Sequence, residues 1–149
     1  MKRKTLVLIL AALVALALAA TAAAFRLDVI RGTDGPDQLH GTPGADVIYG
    51  RGGNDVIHAG RGNDVIFGGD GNDVIWNGPG ADVAYGGPGN DVLHALANDN
   101  QPDVLDCGPG YDTAYVIAND PVKLHGCEVV IRLSPADAAA MAAANGDDQ

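Results

Sequence analysis

Serine is almost missing from this chain: Ser134 is the only one among 149 residues. A serine nucleophile set in a Gly-x-Ser-x-Gly turn is therefore excluded, and no His-Glu-x-x-His, phosphate-loop or EF-hand pattern occurs either. Aromatic residues make up 5% of the sequence, which argues against a large core of bulky side chains. Cysteine is limited to Cys107 and Cys127. Basic residues are also scarce, 9 against 19 acidic ones, so the net charge is −10. Such a chain is repelled by nucleic acid and by anionic membrane surfaces, and it attracts cations. Gly is abundant at 21 residues, but without the every-third-residue period of collagen.

The N-terminal segment reads as a targeting signal. Lys2, Arg3 and Lys4 precede an apolar run from Leu6 to Ala20, and small residues follow at Ala22-x-Ala24. Basic end, apolar core and small-residue exit stand in the order that a signal peptidase reads. The expectation is a signal peptide over residues 1–24 and a secreted, extracellular chain starting at Phe25. The alternative is an uncleaved anchor, since Leu6 to Ala24 is just long enough to span a bilayer. Cleavage removes three positive charges and takes the net charge from −10 to −13.

The rest of the chain is periodic. Asp37, Asp46, Asp55, Asp64, Asp73, Asp82 and Asp91 recur every nine residues. Gly stands two positions before each one, at Gly35, Gly44, Gly53, Gly62, Gly71, Gly80 and Gly89. Two positions after each stands Leu39, Ile48, Ile57, Ile66, Ile75, Ala84 or Leu93. The first six positions of a unit favour turns and left-handed backbone. The last three, such as Val65-Ile66-Phe67, have strand character. One unit cannot bury its apolar residue alone, so units must stack. Two units per coil place residues 18 apart at one strand spacing, about 4.8 Å, with the middle strand residue pointing inward.

This pattern resembles the Gly-Gly-x-Gly-x-Asp-x-apolar-x nonapeptides of the repeats-in-toxin (RTX, hemolysin-type) calcium-binding family, over residues 32–94 closely and 103–115 loosely. The resemblance implies an all-β fold, a right-handed parallel β-roll with a C-terminal cap. It also implies Ca²⁺ held between coils by turn carbonyls and the seven aspartates, paired at a spacing of 18. One edge would use Asp37, Asp55, Asp73 and Asp91, the other Asp46, Asp64 and Asp82, giving about five ions. The chemistry agrees: carboxylates stacked at ~4.8 Å repel by more than about 1 kcal/mol per pair without a counter-ion. Hard oxygen donors on flexible Gly backbone suit Ca²⁺ better than a transition metal. The competing reading is a metal-free solenoid in which each Asp caps its own turn.

Some features depart from the pattern. Position two carries Thr33, Thr42 and Arg51 in place of Gly, which suggests backbone strain in the first sites. After Asp91 the register breaks; residues 95–101 read as a loop insertion, and Asp103 and Asp112 are left out of the ion sites. Position nine reads His40, Tyr49, His58, Phe67, Trp76, Tyr85, His94. Sorted by side, these rings form two outward rows that stack across strands. The Tyr49, Phe67 and Tyr85 row is also a candidate surface for a protein partner. His40 and His58 lack a third ligand for a transition metal.

Cys107 and Cys127 lie beyond the regular repeats and pair as a disulfide in an exported chain. Residues 116–133 read as a capping segment with a last strand at Val129-Val130-Ile131, and 134–149 as an Ala-rich tail. Ser134 and Asp137 form a capping box that opens a short helix with Pro135 at its first position. No residues are assigned to catalysis. The reading is a secreted calcium-binding roll that folds on ion binding, or else an extracellular adhesion module rigidified by calcium.

Overall fold

The structure is a computed structural model that describes residues 27–145. The expected signal segment and the last four residues lie outside that range. Twelve short strands alternate between two faces: β1 (Asp28–Arg31), β2 (Gln38–His40), β3 (Asp46–Gly52), β4 (Val56–His58), β5 (Val65–Asp70), β6 (Val74–Trp76), β7 (Val83–Tyr85), β8 (Val92–Ala95), β9 (Asp103–Asp106), β10 (Thr113–Ile117), β11 (Val122–His125) and β12 (Val129–Leu133). Odd-numbered strands form one six-stranded sheet and even-numbered strands the other, in sequence order. Every pairing is parallel. The result is a flattened β-solenoid of six coils.

The register follows the nine-residue period. Val47 pairs with Val65 and Val65 with Val83, each 18 residues on. Alternation along each strand sends the middle residue inward. Ile48, Ile57, Ile66, Ile75, Ala84, Leu93, Leu105 and Ala114 are all fully buried and stack as two facing columns, one from each sheet. The coils come so close that a side chain at Gly71, where φ is +133°, would strike the carbonyl of Gly53 one coil earlier.

The solenoid is longer at both ends than the repeat pattern alone indicates. Asp28, nine residues before Asp37, opens β1, which pairs with β3. Beyond Asp91 the coil gains three residues, so Val83 pairs with Val104 and Val92 with Thr113 at a spacing of 21. Segment 122–133 adds a further coil, with β11 on β9 and β12 on β10. The last helix, α1 (Pro135–Asn145), forms as its capping signal indicates. Ser134 Oγ accepts the Asp137 N–H at 3.2 Å and donates to the Asp137 carboxylate at 2.7 Å. Ala138 of α1 packs with Trp76, Leu96 and Ile117, so the helix covers the last coils of the even sheet.

Candidate cation-binding ridges

Turns link the two sheets along two edges, and each turn ends in one repeat aspartate. Turns 32–37, 50–55, 68–73, 86–91 and 107–112 stack on one edge; turns 41–46, 59–64 and 77–82 stack on the other. The aspartates therefore form two ridges, as the 18-residue spacing predicts. Along each ridge the backbone N–H of one aspartate donates to Oδ1 of the aspartate one coil later. On one edge this runs from Asp37 to Asp55 to Asp73 to Asp91, at 2.8 Å per step. On the other it runs from Asp46 to Asp64 to Asp82, also at 2.8 Å.

Both ridges continue past the seven expected rungs. Asp82 N–H donates to Asp103 Oδ1 at 2.9 Å, and Asp91 N–H to Asp112 Oδ1 at 2.7 Å. Asp112 N–H in turn donates to Glu128 Oε2 at 2.8 Å, so a glutamate ends that ridge. A larger turn absorbs the insertion, so Asp103 and Asp112, which match the pattern only loosely and are left out of the expected ion sites, both take places on the ridges. Gly108 and Gly110 before Asp112 carried the signal; for Glu128 no nine-residue signal exists. The asparagines before many of the aspartates form a second ladder. Asn54, Asn63, Asn72 and Asn90 accept from the backbone one coil later at 2.8 to 3.1 Å.

The second oxygen of most rungs has no partner. Oδ2 of Asp55, Asp64, Asp73, Asp82, Asp91 and Asp112 is buried and without a hydrogen bond. One oxygen of each of these rungs therefore caps the previous coil, and the other is left unpaired. Burial pushes the Asp64 carboxyl up to about 7, Asp73 to about 6, Asp82 to about 8, Asp91 to about 7 and Asp103 to about 7. The N–H that each accepts opposes the rise, and the charge of neighbouring carboxylates adds to it. Asp55 and Asp112 rise for the same first cause.

Three of the bare oxygens, on Asp55, Asp73 and Asp91, approach the first glycine of their own unit, Gly50, Gly68 and Gly86; in the other three units that position is Ala59, Asn77 or Cys107. The point where a Cβ would stand at Gly68 lies 2.5 Å from both Asp73 Oδ2 and the carbonyl oxygen of Gly86. At Gly32 the same point lies 2.6 Å from Asp37 Oδ2 and from the Gly50 carbonyl. A carboxylate oxygen and a carbonyl oxygen from the next coil thus come together beside the glycine, where no Cβ would fit. Among the described residues no three His, Cys, Asp or Glu side chains converge as a metal cluster. Each rung instead offers one side-chain oxygen among main-chain oxygens, a hard donor set that fits Ca²⁺.

The first two turns are different. Thr33 donates to Asp37 Oδ2 through its N–H at 2.6 Å and its hydroxyl at 3.0 Å. Thr42 N–H donates to Asp46 Oδ2 at 2.5 Å, and its hydroxyl to Oδ1 at 3.2 Å. Gly35 and Gly44 donate their N–H groups back to those hydroxyls at 3.2 Å. Gly53, Gly62, Gly71, Gly80 and Gly89 have positive φ, whereas Gly35 and Gly44 do not. The strain expected at position two falls on Arg51 alone, at φ +85°. The threonines relieve it by hydrogen bonding.

The rings stack as their spacing predicts, but Trp76 and His94 are buried rather than outward-facing, with Trp76 packed against Leu96 and Ile117 and against Ala138 of the last helix. Tyr49, Phe67 and Tyr85 lie 5.1 and 5.0 Å apart with nearly parallel planes. On the other face His40, His58, Trp76 and His94 form a row that Tyr115 extends. Burial holds the His94 imidazole down at about 4. Cys107 and Cys127 form the expected disulfide, with Cα atoms 5.2 Å apart.

A parallel solenoid with two carboxylate ridges, six of whose rungs leave a buried oxygen without a partner, defines a cation-stacked β-roll. The sequence model of the RTX calcium-binding nonapeptide repeat matches residues 27–57, 50–84 and 76–101, about half of the 149 residues. The chain belongs to this family of calcium-binding repeats. No curated protein and no solved structure matches it. Among the described residues no helix is long and apolar enough to cross a membrane.

Proposed function

We propose that this protein is an exported calcium-binding β-roll whose folding is coupled to ion uptake through the two aspartate ridges. The observation that carries the reading is the set of six buried, partnerless Oδ2 atoms on Asp55, Asp64, Asp73, Asp82, Asp91 and Asp112. Six such oxygens mark six rungs, beside the five or so ions that follow from counting adjacent pairs. A buried carboxylate oxygen without a partner is unfavourable, and a divalent ion removes both the desolvation and the repulsion between rungs. Asp37 and Asp46, already satisfied by threonine, end the ridges without needing an ion.

Residues 1–24 supply the export signal. Inside the cell, where calcium is scarce, the Gly-rich chain stays open; outside, binding supplies the folding free energy. Circular dichroism of the mature chain tests the coupling. At neutral pH strand signal is absent in EDTA and appears on adding calcium; full strand signal in the chelator at that pH refutes it. Calorimetry of the same titration counts the ions.

A second reading makes the calcium-stiffened roll an adhesion module. Tyr85, 39% exposed at the end of its row, is the observation in favour. Alanine at Tyr49, Phe67 and Tyr85 then abolishes attachment to a surface and spares calcium uptake.

A further inference from the structure

The outer face of the odd-numbered sheet carries two rows along the solenoid. One runs Val29, Val47, Val65, Val83 and Val104 and ends in Lys123. The other runs Arg31, Tyr49, Phe67, Tyr85, Asp106 and His125. Both rows flank the inward column, so alternation along each strand turns them away from the core. Val29 and Tyr85 are exposed, and the valines and rings between them are half-buried. The even-numbered sheet has an equivalent ring row, and there the chain supplies its own cover: Ala138 and Met141 of α1 pack with Trp76 and Tyr115. Among the described residues α1 is the only helix, and its packing is on the even sheet. The odd face is left as an apolar stripe without such a helix, the kind of surface that marks association.

The charges on this face are sorted by end. Arg31 lies on the first coil, its guanidinium 5.6 Å from the centre of the Tyr49 ring. Asp106 lies four strand steps further along the same row, with His125 Nδ1 3.2 Å from its carboxylate. Phe67 stands midway, two steps from each. A second copy turned end for end about a two-fold axis along the strands at Phe67 sets Arg31 of each copy opposite Asp106 of the other. Tyr49 then meets Tyr85, Phe67 meets itself, and the sixth coil, with Lys123 and His125, overhangs the contact. With both rolls running the same way, Arg31 lies near Arg31 and Asp106 near Asp106, and the like charges repel.

We propose that the odd face is a self-association surface on which a second copy of this chain docks antiparallel, ring row on ring row, with the two Arg31–Asp106 pairs fixing the direction. The inference rests on the roll of the ridge reading being folded, and it gives the Tyr49, Phe67 and Tyr85 row an occupant other than an adhesion surface. One valine row and three rings make a small contact beside the 1,200–2,000 Å² of a standard interface, so the dimer belongs to the weak class.

Sedimentation velocity of the calcium-loaded mature chain over a concentration series tests this. The sedimentation coefficient is expected to rise from the monomer value to the dimer value. Phe67→Asp, at the centre, holds it at the monomer value with strand signal and ion count unchanged. Arg31→Asp alone, or Asp106→Arg alone, weakens the dimer about tenfold, since symmetry alters two contacts at once. The two exchanges together restore it. The proposal is overturned if the chain shows full strand signal in calcium yet stays monomeric at every concentration, or if the double exchange dimerises no better than either single one. A monomeric chain whose ring row attaches to a surface also overturns it, in favour of the adhesion reading. A chain that gains no strand signal in calcium overturns the ridge reading and this inference with it.

Discussion

At the scale of single residues, the aspartates work in two directions. Oδ1 ties the coil to its predecessor, and Oδ2 is held bare where another coil's carbonyl approaches. Asp73→Asn keeps the shape and removes the charge. It is expected to lower the melting temperature in calcium, with one ion-binding step weakened or lost by calorimetry; an unchanged set of ion-binding steps would mean that the carboxylate serves only as a cap. The pH dependence follows from the same groups. A carboxyl whose folded pKa is raised contributes stability that is full below its ordinary value and is lost as pH rises through the folded value. For Asp64, Asp73, Asp82 and Asp91 that loss runs up to about 6 to 8. His94, held down at about 4, acts oppositely and loses its contribution as pH falls below its ordinary value. The chelated protein is therefore expected to show more strand signal near pH 5 than at pH 8, and calcium uptake at neutral pH releases protons. Equal spectra at both pH values would contradict this.

At the scale of the element, the turn depends on its glycines unequally. The Gly68 cradle places a Cβ 2.5 Å from Asp73 Oδ2 and the Gly86 carbonyl. At Gly35 the nearest atom is Thr33 Oγ1 at 4.0 Å, and φ is not positive. Gly68→Ala is expected to cost more than about 1 kcal/mol and to impair one ion site, and Gly35→Ala to stay within about 0.5 kcal/mol, as calcium-saturated thermal melts would show. The last coil lacks the nonapeptide repeat and has a covalent tie instead. Closing a loop of about 20 residues through Cys107 and Cys127 is worth about 3 kcal/mol in the chain-entropy model. Reduction is expected to lower the denaturation midpoint by the corresponding amount and to leave uptake at Asp55 and Asp73 intact.

At the scale of the whole molecule, the core is thin. Each sheet supplies one inward column of Ile, Leu and Ala, and each column includes an alanine, Ala84 in one and Ala114 in the other. Glycine-rich turns make ordering the chain costly, and so thin a core offsets little of that cost. Removal of calcium is therefore expected to expand the chain from compact dimensions, about 13 Å radius of gyration per 100 residues, towards the roughly 30 Å of an unfolded chain of that length. Small-angle scattering in EDTA and in calcium checks it; an unchanged radius would show that packing alone holds the roll.

By itself the nine-residue period determined the two ridges, the inward columns, the ring rows and the register from Gln38 to His94. It could do so because each of these depends only on residue type at a fixed spacing. Tertiary structure decided the rest. Only in the coil does a three-residue insertion bulge into a turn, so that Asp103 and Asp112 rejoin ridges from which counting excludes them. Only there does Glu128, with a longer side chain, take an aspartate's place, and only there do Thr33 and Thr42 meet the carboxylates of the first rungs. These contacts depend on which atoms meet across a 4.8 Å step between coils, a relation that spacing along the chain does not encode.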